Sequence, residues 1–445
     1  MNSDTIAAIA TPPGFGGIGI VRLSGVDAAH IGTAICASLG KPREAAFRVF
    51  RDAQGRVIDE GLVLFFPAPS SFTGEHVVEF QGHGGPIVMD MLLQRCVALG
   101  ARLARPGEFS ERAFMNDKLD LAQAEAIADL IESGSTQAAR MAMRSLRGEF
   151  SCRVHALVEE LTALRVYVEA ALDFPDEDID FLSDGRVEQQ LGELLQAIES
   201  LRLAADQGRV MREGLTLVIA GLPNAGKSSL LNLLARTDAA IVTDIPGTTR
   251  DILREFIQID GLPVHLIDTA GLRDSDNPIE QEGIRRARMA LDEADLVLWV
   301  YDCRSGLPRI DAAVRALDIP LLLIRNKIDR CDEPPGRREH GILPEIALSA
   351  KQGAGLDVLH DFLKRHAGVS ELAEGGFSAR RRHLAAIDKA EQALNRATNT
   401  MLETRAGELV AADLLYAQQM LGEITGEISA DDLLGEIFSS FCIGK

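Results

Sequence analysis

The sequence predicts a multidomain protein: an α+β N-terminal domain, an α-helical central domain, and an α/β P-loop domain inserted into the helical one. Three observations carry that reading. Short β-like runs separated by Gly/Pro turns fill residues 1–118, and apolar residues at helical spacing take over from Asp120. From Leu215 to about Ala367 the order strand, glycine loop, helix repeats. The 445 residues suit about three domains at roughly 150 residues each.

In the first segment the β-like runs are "GGIGIVRLSG" (16–25), "RVIDEGLVLFF" (56–66) and "HVVEFQGHGG" (76–85). The stretch "GPIVMDMLLQRCVALGARLA" is expected to be one helix running until Gly100. Asp120 with Gln123 makes a capping-box-like start, followed by an apolar face of Ala124, Ile127, Leu130 and Ile131. Helix is expected through 143–172 and, after the acidic loop "DFPDEDIDFLSDG", again over 187–208. Four runs then read as buried parallel strands: "LTLVIAG", "PVHLIDTAG", "ADLVLWVYD" and "PLLLIRNKID". From Ser378 the pattern is helical once more. Each helical half alone would expose an apolar stripe, so the two halves are expected to pack together around the insertion. The expected boundaries are 1–118, 119–210, 211–376 and 377–445.

Composition narrows the class. With 46% hydrophobic and 25% charged residues, the chain reads as an ordinary soluble globular protein. A net charge of −20 repels phosphate backbones, so binding RNA requires a local basic patch or a partner. Arg380, Arg381, Arg382 and His383 are a candidate patch, or else a solvated helix start. The opening "MNSDTIAAIATPPG" does not look like a signal peptide, and no run approaches 18 apolar residues. The six cysteines lack CxxC pairs and metal-site spacing, and the histidines have no ligand spacing either. Reduced thiols in a cytoplasmic protein without a membrane anchor are expected.

The motif "GLPNAGKS", Gly221 to Ser228, lies between a strand and a helix in the P-loop context. Its glycines let successive N–H groups face phosphates at a helix N-terminus. Asn224, Ala225, Gly226, Lys227, Ser228 and Ser229 form the candidate phosphate-binding set, with Lys227 on the β/γ-phosphates and Ser228 on Mg²⁺. The run Thr243, Asp244, Ile245, Pro246, Gly247, Thr248, Thr249 reads as a switch loop that offers Thr249 as a second Mg²⁺ ligand. "DTAG" supplies Asp268, Thr269, Ala270 and Gly271, with Asp268 in the Walker B role. "NKID" gives Asn326, Lys327 and Asp329; the Asp329 carboxylate suits the N1–H and N2 donors of guanine, which adenine lacks. Ser349, Ala350 and Lys351 complete the base pocket. Together these boxes resemble those of translation-factor-type GTPases, and GTP is the expected nucleotide. Ras-like proteins orient water with a Gln after the DTAG glycine, but here that residue is Leu272. Asn224 either coordinates a monovalent cation or only caps the loop.

"TPPGFGGIGIVRLSG", "PSSFTGEHVVEFQGHGG", "RPGEFSERAFMNDKLDLAQAEAI", the P-loop boxes and the final "CIGK" together resemble the MnmE (TrmE) family of bacterial tRNA-modification GTPases. The resemblance covers essentially the whole chain. It implies a folate-binding, dimerising N-terminal domain, a helical domain and an inserted G domain. It also implies a homodimer acting with the flavoprotein MnmG (GidA), which carries FAD, in a heterotetramer or larger complex on tRNA. The expected product is an aminomethyl or carboxymethylaminomethyl group at C5 of the wobble uridine. The expected one-carbon donor is 5-formyl- or methylene-tetrahydrofolate. By the same resemblance, K⁺ is held by Asn224, Thr243, Ile245 and Thr248, and Glu280 positions water; from the residues alone Glu280 is one charge on a solvated helix start. Folate contacts carried over are Arg22, Glu79, Lys118 and Lys445. Phe15 stands where the resemblance leads to the expectation of an Arg.

Two other readings remain open from the residues. A regulatory or ribosome-assembly GTPase often adds a basic RNA-binding module, yet residues 407–445 hold seven acidic residues against one Lys and no GxxG. Residues 1–118 are alternatively a dimerisation module only. The end "FCIGK" departs from a prenylation box at Gly444 and Lys445. Cys442 is then either a chemical group near the modification site or a small buried anchor.

Overall fold

The computed structural model describes residues 4–173, 185–237, 254–268, 294–306, 319–340, 343–368, 376–427, 437–438, 441 and 444. Two compact units are distinguished: Met1–Ile131 with Ser145–Ala197 and Ala386–Lys445, and Glu132–Arg144 with Ile198–Ala385.

In the first unit, β1 (Ile6–Ile9), β2 (Gly16–Ser24), β3 (Ala46–Arg51), β4 (Val57–Phe66), β5 (Val77–Gly84) and β6 (Arg102–Leu103) form one sheet in the order β3-β4-β5-β2-β1-β6. The pairs are antiparallel except β1 with β6. Alternation along the strands turns Val21, Leu23, Val63, Val78 and Phe80 to one face, as period-2 geometry requires. Helices α1 (Ala28–Cys36) and α2 (Pro86–Ala98) cover that face with Ile31, Ile35 and Leu92. Pro86 at the first position of α2 loses no helical hydrogen bond.

Helices α3 (Glu108–Met115) and α4 (Leu121–Glu132) follow. The expected capping box is present: Gln123 N–H donates to Asp120 Oδ1 at 2.8 Å, and Asp120 N–H donates to Gln123 Oε1 at 3.0 Å. The apolar face differs from the expectation. Ile131 is 46% exposed, while Leu121 and Ala124 are buried beneath Ile437, Phe438 and Phe441. Sequence-distant residues thus choose the buried stripe. The helix expected across 143–172 is two: α5 (Thr136–Leu146) and α6 (Glu149–Asp173), broken where Gly148 takes φ +86°. Buried Phe150, Val154, Leu157, Leu161, Leu164 and Val168 recur at three- and four-residue steps along α6. Each such side chain contributes about 1.5–3 kcal/mol when fully buried. Helix α7 (Arg186–Glu213) closes this stretch of the chain.

The second unit holds a sheet of order β12-β13-β11-β10-β7-β9-β8. Its strands are β7 (Leu215–Gly221), β8 (Arg254–Ile259), β9 (Leu262–Asp268), β10 (Leu296–Asp302), β11 (Leu321–Asn326), β12 (Gly336–His340) and β13 (Leu343–Ala347). The four expected strands lie side by side and parallel at its centre. β8 and β12, which the apolar-run reading did not anticipate, are antiparallel edges. Helices α8 (Lys227–Thr237) and α9 (Leu356–His366) pack their apolar residues on one face. Helices α10 (Arg381–Glu403) and α11 (Gly407–Thr425) follow, and α11 packs along α6 in the first unit.

One expectation is corrected. Cys303 and Cys331 form a disulfide rather than two reduced thiols. Neighbouring parallel strands β10 and β11 each end in a 3-10 turn, Cys303–Ser305 and Ile328–Arg330, which brings the two cysteines together. No described helix is long and apolar enough to cross a membrane.

Candidate functional site

The P-loop leaves β7 and opens α8, and two of its glycines are sterically required. A Cβ on Gly221, at φ +138°, would overlap the Val300 carbonyl of β10. One on Gly226, at φ +97°, would overlap the Asn326 side chain. Between them Asn224 adopts a left-handed φ of +62°, a conformation Asn tolerates better than most residues. Ala225 is buried, while Asn224, Ser228 and Ser229 are exposed at the loop mouth. Lys227 Nζ donates to the carbonyls of Gly221 at 3.0 Å and Leu222 at 3.1 Å, so its ammonium lies across the loop.

The base-side motifs converge on the same loop. Asn326, 1% exposed, donates from Nδ2 to the Ala225 carbonyl at 2.9 Å. Its Oδ1 accepts from the N–H groups of Lys327 at 2.7 Å and Ala350 at 3.0 Å. Lys327, at φ +66°, sends Nζ to the Asn224 carbonyl. Ser349 Oγ donates to Asp329 Oδ1 at 2.6 Å and orients that carboxylate. Lys351 is exposed beside it. Asp268 ends β9, and as the register partner of Ile219 it sits at the P-loop end of the sheet.

Asn224 to Ser229, Asn326, Lys327, Asp329, Ser349 and Ala350 are therefore assembled around one cradle. Thr243, Asp244, Ile245, Pro246, Gly247, Thr248, Thr249, Thr269, Ala270, Gly271 and Glu280 lie outside the described residues, as do Cys442 and Lys445. Among the described residues no group of three His, Cys, Asp or Glu is arranged to hold a metal ion.

In the first unit, Arg22 and Glu79 are register partners across β2 and β5. Arg22 Nε donates to Glu79 Oε1 at 2.8 Å, and Arg22 Nη1 reaches the Gly444 carbonyl at 3.3 Å. The guanidinium lies 5.9 Å from the Phe72 ring centre and 5.7 Å from that of Phe109, within cation–π range. Lys118 passes beside Gly74, in the loop that carries Phe72. The tail is seated by two glycines. A Cβ on Gly107 would overlap the Phe438 carbonyl, and one on Gly444 would approach the Ile9 carbonyl to 2.5 Å. Phe15 is 96% exposed in its loop.

The first unit also holds an ion cluster that no motif signalled. Glu108, 1% exposed, accepts from Arg102 at 2.6 Å, Arg112 at 3.3 Å and the Arg105 N–H at 2.7 Å. Burial alone would raise its pKa, but the hydrogen bonds to Arg102 and the Arg105 N–H outweigh it and hold the carboxyl below the ordinary 4.5. The basic cluster near α10 acts as a helix start. Arg381 Nε donates to Glu213 at 3.1 Å, and buried His383 accepts the Arg380 N–H at 3.1 Å.

Two family models match the chain: the MnmE helical domain over residues 121–442, and the GTP-binding protein TrmE N-terminus over residues 5–118. The chain is 55% identical over 453 aligned residues to the tRNA modification GTPase MnmE of Pectobacterium carotovorum subsp. carotovorum, covering 100% of both. It is 54% identical over 451 residues to the protein of that name from Yersinia pestis bv. Antiqua, covering 100% of this chain and 99% of the relative. Among solved structures, an Aquifex aeolicus Era variant bound to GDP and aluminium fluoride is 26% identical at a TM-score of 0.27. That match covers 40% of this chain and 66% of the other.

Proposed function

The chain belongs to the MnmE family of tRNA modification GTPases, and from that premise we propose that it hydrolyses GTP while a one-carbon unit is delivered to C5 of the wobble uridine. The proposed partners are a second copy of the chain, the flavoprotein MnmG with its FAD, and tRNA, in the cytoplasm. The single observation behind the nucleotide reading is that the base-side residues Asn326 and Lys327 bond directly to the phosphate loop at Ala225 and Asn224. One rigid cradle can then grip both ends of a guanine nucleotide.

The fit to nucleotide and ions is supported by the close seating of the glycine loop, whose Gly221 and Gly226 leave no room for a Cβ against the Val300 carbonyl and the Asn326 side chain. Ser228 and Thr249 would hold Mg²⁺, and Asn224 with Thr243, Ile245 and Thr248 would hold K⁺. When bound, these cations supply positive charge at the β–γ bridge, as an arginine finger does elsewhere. Lys227 leaves its carbonyl partners for the β/γ-phosphates. Asp329, oriented by Ser349, accepts the two guanine donors. Glu280 would hold the attacking water in place of the Gln that Leu272 replaces.

For the tetrahydrofolate derivative, the donor set is chemically apt. Glu79 offers a carboxylate to the pterin's donor edge, while Arg22, Lys118 and Lys445 suit its acceptors and glutamate tail. Phe72 adds an apolar wall next to Arg22. The Gly444 carbonyl on Arg22 supports a tail that ends at this site, with Cys442 two residues away. The proposed inserted G domain, 211–376, contains the whole second sheet.

The deciding experiment is nucleoside analysis of tRNA from a strain lacking the chain. The C5 modification should be missing from wobble uridine and return on complementation. Unchanged wobble uridine would overturn the reading. Binding of 5-formyltetrahydrofolate to the full-length chain tests the donor separately.

A further inference from the structure

Asp302 belongs to none of the nucleotide motifs, yet it is bonded into their centre. It is the last residue of β10 and the register partner of Asn326 on β11. Its Oδ1 accepts from the Arg304 N–H and from Arg304 Nε, each at 3.0 Å; Oδ2 accepts from Arg304 Nη2 at 2.8 Å. Lys327 Nζ then reaches the same Oδ2 at 3.1 Å. The carboxyl is consequently held well below the usual carboxylate range, first by the Arg304 side chain and then, after the backbone bond, by Lys327.

Lys327 is the residue that spans the two halves of the cradle. Its backbone is fixed in the base-side loop at φ +66°, and its ammonium donates to the Asn224 carbonyl in the phosphate loop. A lysine stem is flexible and its ammonium strongly hydrated, so a bridge of this kind needs a fixed counter-charge. We propose that Asp302 is a positioning residue that holds the Lys327 ammonium on the Asn224 carbonyl and so fixes the separation of the base-binding and phosphate-binding loops. Arg304 locks the carboxylate in place, and Asp302 acts on nucleotide only through Lys327.

Two consequences separate this role from that of a simple turn cap. Affinity for the whole nucleotide falls when Asp302 is lost, but the choice of base, set by Asp329, does not change. The effect also disappears when Lys327 is already gone, because the strut no longer exists.

The inference rests on the chain being a GTPase, and the experiment keeps the two apart. Full-length protein is titrated with a fluorescent GDP derivative, with IDP as competitor, in wild type, Asp302→Ala, Asp302→Asn, Lys327→Ala and the Asp302→Ala/Lys327→Ala double variant. Asp302→Ala is expected to raise the GDP Kd about tenfold, the scale of a lost charged hydrogen bond. The GDP/IDP preference should stay constant, and the double variant should match Lys327→Ala within about twofold. Asp302→Asn still offers an acceptor to the Arg304 N–H; it should weaken GDP in the same direction with the base preference intact. The same loss from Asp302→Ala in both backgrounds, or a collapsed GDP/IDP preference, overturns the positioning role. A wild-type protein that fails to bind GDP defeats the GTPase reading instead.

Discussion

Asn326 Nδ2 donates to the Ala225 carbonyl at 2.9 Å, across 101 residues of sequence. That bond joins the proposed base-reading loop to the proposed phosphate loop. Asn326→Ala removes it and also orphans the N–H groups of Lys327 and Ala350. Each buried group left unpaired costs about 1–3 kcal/mol. The expected result is GDP binding weakened by at least about tenfold, with a lowered thermal midpoint for the second unit. Titration with fluorescent GDP checks it, and an affinity within twofold of wild type refutes the structural role.

The Glu108 cluster predicts an acid-sensitive first unit. Its carboxyl sits below the ordinary 4.5 when folded, so its contribution is complete above that pH and is lost as pH falls through the lower folded value. Glu108→Gln removes the charged acceptor of Arg102, while Arg112 keeps Asp4 and Glu75, and should cost about 1–3 kcal/mol at neutral pH. Wild type and variant should converge in stability as pH falls below about 4. Denaturation midpoints measured across pH 3 to 7 give the answer; a constant gap would contradict the assignment.

Gly107 and the tail make a separate prediction. Gly107→Ala places a methyl where the Phe438 carbonyl and Phe441 side chain stand, at a backbone φ of +67° that disfavours it further. The tail should leave its seat beside Leu121 and Ala124. Hydrogen exchange over residues 437–445 should rise, and 5-formyltetrahydrofolate affinity should fall, while GDP affinity is retained. Protection equal to wild type would show that the glycine is dispensable.

Turnover tests the ion and the water-positioning residue. Replacing K⁺ by Na⁺ at constant ionic strength should reduce kcat sharply with little change in GDP affinity. Glu280→Ala should lower kcat by about 10² or more and leave GTP binding intact, because water orientation matters only in the transition state. Equal rates in the two salts would remove potassium from the mechanism.

Much of the nucleotide site was readable because its chemistry is local. The residues from Gly221 to Ser229 are consecutive, and their strand–loop–helix context is written in the flanking apolar runs. The capping box at Asp120 and Gln123 was readable for the same reason. Other features were not. Ile131 looked like part of an apolar face, but the tail residues Phe438 and Phe441 cover Leu121 and Ala124 instead. Cys303 and Cys331 carry no spacing signal, and only the adjacency of β10 and β11 pairs them. Strands β8 and β12 gain their partners at sheet edges, so short runs of mixed polarity gave little warning.

By itself the sequence determined the parallel strands at the centre of the second sheet, the P-loop, the guanine-reading motif and the family to which the chain belongs. The strands and motif loops follow from residue type at fixed short spacing, and the family from the resemblance of longer stretches along the whole chain. Tertiary structure alone decided that Asp302 faces Lys327, that Arg22 meets both Glu79 and the Gly444 carbonyl, and that Glu108 is surrounded by arginines. Register between strands and the seating of a distant tail create those contacts. Neither leaves a local pattern, because each depends on which sequence-distant segment occupies the adjoining space.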